Sequence, residues 1–206
     1  MNTLPFEFNR TSVFESFQFH HKIDLNLPEN PLTIASNMAT LMSGETYIVV
    51  LNNDGSFDKS YSIDDYQGIA KKVHALNEAK FMGWPIKVED METYNQPLVD
   101  LVAGLEAGLG RTVNGHMFIG FEGKGSFGWH TDEGHVFCYM LSGTKLMETQ
   151  SGRHELNAGD WLIMPEGLPH CATNLTDTTM ISFGTGSIKP RIKTEMLWAD
   201  QPALIM

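Results

Sequence analysis

Cysteine is nearly absent: the 206 residues contain two, Cys138 and Cys171. So few exclude a disulfide framework, and both lie in apolar, strand-like segments, as buried reduced thiols do. No run of about 18 apolar residues occurs, so no membrane span is expected. Positive charge is also short. Fourteen Lys and Arg face 25 Asp and Glu, for a formal net charge of −11. That balance disfavours binding to phosphate backbones and argues against a nucleic-acid partner, while a basic peptide or protein remains compatible with it. The first residues carry Glu7 and Arg10 among polar neighbours and lack the apolar core of a secretory leader, so the expected location is cytoplasmic. There is no internal repeat and no low-complexity stretch.

What is present is an ordinary globular balance, 42% hydrophobic and 19% charged, in a chain long enough for one substantial core. A single domain over 1–206 is expected, with an α/β part to about 110 and a β part over about 113–186. Residues 46–51 are apolar and β-branched and stop at Asn52-Asn53-Asp54-Gly55, a strand followed by a turn. Ser62, with Asp65 three residues on, is placed to cap a helix that Ile69, Val73 and Leu76 continue to about Lys80. Leu98, Leu101, Val102 and Leu105 mark a second helix over 96–109, ended by Gly108 or Gly110. From 113 onward short strands alternate with glycine turns. The pattern predicts strands near 113–121, 127–132, 135–141, 144–149, 153–156, 161–165, 169–174 and 179–185. Such a series suits a closed or sandwich-like β architecture with the helices packed outside it. The tail 190–206 ends Leu204-Ile205-Met206, an apolar end that could pack on the domain or on a second copy in a homodimer.

The chemistry concentrates in His130, Asp132 and His170. Two histidines and one carboxylate form the facial triad that holds Fe(II) on one side and leaves the opposite positions open. His130 and Asp132 are two apart, so on a strand both side chains point to one face. His170 arrives from a later strand.

The segment Gly159 to Asn174 fits the second cupin motif: glycine, five residues, proline, one, glycine, two, histidine, three, asparagine. In the first motif His-x-Asp stands in place of His-x-His. The usual glutamate is missing near Val136, and the closing glycine is Gly143. The chain in this respect resembles the JmjC and cupin-like 2-oxoglutarate oxygenases, in particular the ribosomal-protein hydroxylases. The resemblance covers roughly residues 96–186, including the helix closing at Leu105 to Arg111 and the Gly-Ser loop 123–128. It implies a mainly β fold, the double-stranded β-helix of cupin and jelly-roll barrels, with flanking N-terminal helices.

It also implies roles. In those enzymes a Lys or Arg fifteen residues after the first ligand histidine holds the distal carboxylate of 2-oxoglutarate, and here that position is Lys145. A tyrosine often stands twelve residues before that histidine; here it is Phe118, which cannot donate a hydrogen bond. His116, Ser126, Tyr139 and Thr144 are the candidates for the missing donor. The implied activity is hydroxylation of a protein or peptide side chain with release of succinate and CO2, although a small-molecule substrate stays open. No catalytic group beyond the metal ligands is expected. The alternatives are a metal-binding cupin that works without oxoglutarate, as a dioxygenase, isomerase or small-ligand sensor, and a noncatalytic barrel. Trp129 and the acids Glu122, Glu133 and Glu166 are expected at the mouth, with Trp129 and Glu133 as substrate contacts. His135 and His154 are expected to face solvent, Trp161 to pack in the barrel, and Asn174 to brace the motif.

Overall fold

A computed structural model describes residues 16–41, 48–50, 69–124 and 128–186. Within them, ten strands form two antiparallel sheets, one of seven strands in the order β1-β8-β5-β10-β4-β3-β2 and one of three in the order β7-β6-β9. The strands are β1 (Phe17–His20), β2 (Ile48–Val50), β3 (Ile86–Val88), β4 (Val113–Gly120), β5 (Val136–Ser142), β6 (Thr144–Thr149), β7 (Gly152–Asn157), β8 (Asp160–Met164), β9 (His170–Asn174) and β10 (Thr178–Thr185). The helices are α1 (Pro31–Leu41), α2 (Ile69–Met82) and α3 (Gln96–Leu109). The fold is thus mainly β with N-terminal helices, as the pattern predicts.

Side-chain alternation on the large sheet divides the core in two. On β4, Val113, Met117 and Ile119 join the core that contains Leu98, Leu101 and Leu105 of α3. Asn114, His116 and Phe118 turn to the other face and line a cavity. Strand β5 is covered on both sides. Phe137 and Tyr139 belong to the helix-side core, while Val136, Cys138 and Met140 belong to a second core with Met147, Leu156 and Leu162. Trp161 is fully buried, lies 4.6 Å from the Tyr139 ring, and donates its indole N–H to the His21 carbonyl. It is a packing residue.

Helix α3 spans the predicted range. The Asn95 side chain caps it by accepting from Leu98 N at 3.1 Å, and Gly110 closes it at φ +66°. Seven of the eight predicted strands form. The expected strand 127–132 does not: residues 128–129 bend, and His130 makes a single bridge to His170. Helix α1, β1 and β3 escaped the sequence patterns. The proposed cap at Ser62, the candidate donor Ser126 and the tail 190–206 lie outside the described residues.

Candidate metal centre

Backbone pairing brings the triad together. His130 and His170 exchange both main-chain hydrogen bonds, at 3.0 and 2.9 Å, and Gly167 N donates to Asp132 O at 3.0 Å. The segment 130–132 therefore runs beside 167–170 although it is too short to form a strand. A tight turn delivers His170. Leu168 N donates back to Pro165 O, with Gly167 at φ +75° in the third position, where a type II turn needs a residue that tolerates positive φ. Across the sheet junction Gly143, at φ +75°, passes β5 into β6 and packs on the Asp177 backbone, leaving no room for a Cβ.

The ligand atoms of His130, Asp132 and His170 all lie within 4.8 Å of one another, a group that can hold a metal ion. Both imidazoles are oriented in the same way. His130 Nδ1 lies 2.8 Å from Gly128 O and His170 Nδ1 2.9 Å from Leu168 O. A carbonyl only accepts, so each Nδ1 carries the hydrogen and each Nε2 is left with its lone pair. His170 Nε2 stands 3.4 Å from Asp132 Oδ2. In the neutral imidazole these are two acceptors facing each other, an arrangement that calls for a cation. A proton is one candidate, but burial lowers the His170 pKa, with His130 adding to that and the Leu168 carbonyl and Asp132 opposing it. A metal ion satisfies both atoms without protonating the ring. For ligand bonds of about 2.1 Å, cis positions on an octahedral ion lie about 3 Å apart, close to the observed separation.

The triad opens into a cavity of about 350 Å³, a size suited to a small ligand. Lys145 lies in its wall, fully buried, and its Nζ has no hydrogen-bond partner among the described residues. Burial lowers its pKa to about 8, with the neighbouring Cys138 thiol pulling the other way. Burial pushes that thiol up to about 12, against the pull of Lys145. A buried ammonium without a counter-charge is costly, and its presence in the wall of the cavity that holds the triad is what an anion subsite requires.

The other candidates distribute as follows. His116 lines the cavity, and its Nε2 is 2.9 Å from Asn114 Nδ2. Glu133 also lines it. Thr144 does not reach it: Lys145 points inward, so its strand neighbour points away, and the Thr144 hydroxyl bonds Asn157 Oδ1 at 3.0 Å. Tyr139 is likewise on the helix side, with its hydroxyl accepting from Ile23 N. Trp129, 59% exposed, lies outside the cavity wall. His135 and His154 are half-buried rather than solvent-facing. His135 Nδ1 accepts from Glu166 N at 3.1 Å, and His154 Nε2 meets the Ser16 hydroxyl at 3.1 Å. Glu166 pairs with Arg111 at 3.3 Å. Asn174, 1% exposed, braces the structure. Its Nδ2 donates to Lys124 O at 2.7 Å and its Oδ1 accepts from Thr178 at 2.8 Å. Sequence reasoning missed Lys87, Asn114, Cys138 and Ser182 as cavity residues. The alternation along β4, β5 and β10 was the signal that could have found three of them.

The description of a cupin domain matches residues 117–183. Among curated protein sequences, none matches the chain. Of solved structures, the ribosomal oxygenase YcfD from Escherichia coli in complex with cobalt and 2-oxoglutarate aligns with a TM-score of 0.59 at 18% identity, over 85% of this chain and 49% of that one. Its complex with cobalt and succinic acid aligns with a TM-score of 0.57 at 19% identity, over the same shares. This chain therefore spans about half the length of the oxygenase it matches. These results define the fold: mainly β and cupin-like, and similar over most of its length to part of the ribosomal oxygenase structure. The likeness is one of fold, and among the described residues no helix is long and apolar enough to cross a membrane.

Proposed function

We propose that this chain is an Fe(II)- and 2-oxoglutarate-dependent oxygenase that hydroxylates a side chain of a protein or peptide. The observation that carries the reading is the pairing of a facial His-Asp-His group with a fully buried, unpartnered Lys145 in one cavity. A plain metal-binding cupin has no need of that ammonium.

His130, Asp132 and His170 would hold the metal, and Lys145 would hold the distal carboxylate of the cosubstrate. With O2 as the oxidant, bound iron and oxoglutarate would supply the chemistry: one oxygen atom ends in succinate as CO2 leaves, and the other enters a substrate C–H bond. The protein's own work is positional. The carbonyls of Gly128 and Leu168 fix both imidazole tautomers. Lys145 presents up to three N–H donors to the carboxylate from a site that water does not reach. Met147, Met164 and Met180 make that part of the wall apolar, which strengthens the ion pair. His116, which lines the cavity, would supply the donor that Phe118 cannot.

Succinate release from oxoglutarate, measured with Fe(II) and a panel of candidate peptides, tests the reading. Peptide-stimulated succinate that disappears in His170→Ala is the expected result. Stoichiometric metal binding with no oxoglutarate binding at millimolar concentration would leave a cupin of another activity.

A further inference from the structure

One cation in the cavity is not used by the reading above. Lys87 sits on β3 between Ile86 and Val88, both fully buried in the helix-side core, and so faces the opposite way, where it lines the cavity. Its Nζ donates to Glu89 Oε1 at 2.7 Å, and the two side chains are 14% and 16% exposed. A nearly buried ion pair of this kind adds little net stability, because desolvation offsets the attraction. Stability therefore gives no reason for a lysine here rather than an apolar residue. An ammonium carries three donors, and Glu89 takes one. Lys87 is paired in register with Phe118 on β4, and Asn114 and His116 stand on the same face of β4. Together they give this flank of the cavity a polar, donor-rich strip.

The strip is separate from Lys145. Lys145 lies against Cys138 on β5, and β10 and β4 stand between β5 and β3. Lys145 itself stands on β6 of the three-stranded sheet, so the two lysines enter the cavity from different sheets.

We propose that Lys87, supported by Asn114 and His116, is a second anion subsite that takes a carboxylate of the primary substrate. This rests on the oxygenase reading for the word "primary" and names the chemistry of that substrate: a free small acid, or an aspartate or glutamate side chain on a peptide.

The test uses the full chain loaded with Mn(II) and saturated with oxoglutarate without oxygen, so that Lys145 is occupied. N-acetylglutamate and N-acetylaspartate serve as free acids, a blocked Ala-Glu-Ala peptide as the side-chain source, and N-acetylglutamine as the neutral control. Line broadening of each probe by the Mn(II) reports binding near the metal. The expected result is saturable binding of an acid but not of N-acetylglutamine, weakened roughly tenfold or more in Lys87→Met, with oxoglutarate affinity held within about twofold. Preference for the free acids or for the peptide decides the source. A companion variant, Lys87→Met with Glu89→Gln, removes both charges and leaves no carboxylate buried unpaired, so a folding failure of the single change does not end the test. Equal binding by wild type and variant, no saturable binding of any acid, or an equal loss of oxoglutarate affinity in Lys87→Met overturns the proposal. Failure of wild type to bind oxoglutarate refutes the oxygenase reading instead, and the same probes with Mn(II) alone still report on Lys87.

Discussion

Replacing Lys145 with methionine should make the protein more stable and less able to bind oxoglutarate. Lys145 is fully buried without a hydrogen-bond partner, and burial lowers its pKa from 10.5 to about 8. The sign follows from linkage. Below pH 8 the folded protein holds a charge it disfavours, so the cost to folding is then fully present. Between about 8 and 10.5 the unfolded chain binds more protons than the folded one, and stability rises with pH through that window. A shift of this size corresponds to about 3 kcal/mol at neutral pH. Methionine keeps much of the volume and removes the charge, so Lys145→Met should gain a sizeable part of that figure. At about 2–4 °C per kcal/mol for a chain of this size, the melting temperature should rise by several degrees at pH 7. The gain should shrink toward pH 10. Oxoglutarate supplies the missing counter-charge, and a charge-assisted hydrogen bond contributes on the order of 1.5–3 kcal/mol, so the variant should bind it roughly tenfold to a hundredfold more weakly. In wild type, affinity should fall as pH rises above 8, where the free ammonium is lost. Calorimetric titration and thermal melts of both proteins from pH 6.5 to 9.5 check all of this. A variant that is less stable at pH 7, or that binds oxoglutarate as wild type does, refutes the anion-subsite argument.

Three further outcomes are expected. His130→Ala and His170→Ala should each abolish stoichiometric Fe(II) or Mn(II) binding while the far-UV spectrum is kept, and one-to-one binding by the double variant would show the triad assignment to be wrong. Asn174→Ala should cost about 1–3 kcal/mol in denaturant unfolding, since it strands the buried Thr178 hydroxyl and removes one of the two bonds to the Lys124 carbonyl; a change below about 0.5 kcal/mol would mean that water replaces both lost bonds. If rim acids steer a basic or neutral polypeptide, turnover at low substrate should fall as salt rises and Glu133→Lys should blunt that dependence, whereas a salt-independent specificity constant would remove steering from the account.

The sequence made the triad legible because its spacing is a property of local backbone. His130 and Asp132 are two residues apart, and the turn before His170 needs a glycine at Gly167 whatever the rest of the chain does. Yet the premise for the first pair was a strand, and no strand forms there. The bridge between His130 and His170 supplies the same orientation from tertiary pairing, which no local pattern reports. Thr144 shows the opposite failure. Period-2 alternation already forbids two adjacent residues of β6 from facing one cavity, so accepting Lys145 should have removed Thr144. Lys87 was invisible for a different reason. Strand β3 has three residues, too few for a periodic signal, and its inward face is set by pairing with β4, thirty residues away.

These cases share one physical cause. Each cavity side chain is aimed by a hydrogen-bonded neighbour strand, and the neighbour is local in sequence only for the turns. Gly143 and Gly167 sit in such turns, and both carry the motif that the sequence displays. The two lysines do not, although they bring two cations to a cavity that Asp132 and Glu133 also line, in a chain of net charge −11. A cation enclosed by an acidic protein is surrounded by distant favourable charge, but that field is screened beyond about 8–10 Å in water and does not replace a contact. Glu89 supplies the contact for Lys87, and among the described residues none supplies one for Lys145. The two sites therefore differ in what a ligand must do: at Lys145 it fills an empty position, and at Lys87 it must share the ammonium with a carboxylate already there. Affinity at Lys87 should accordingly be the weaker of the two, which suits a substrate that leaves after each turnover more than a cosubstrate that must be held while the substrate arrives.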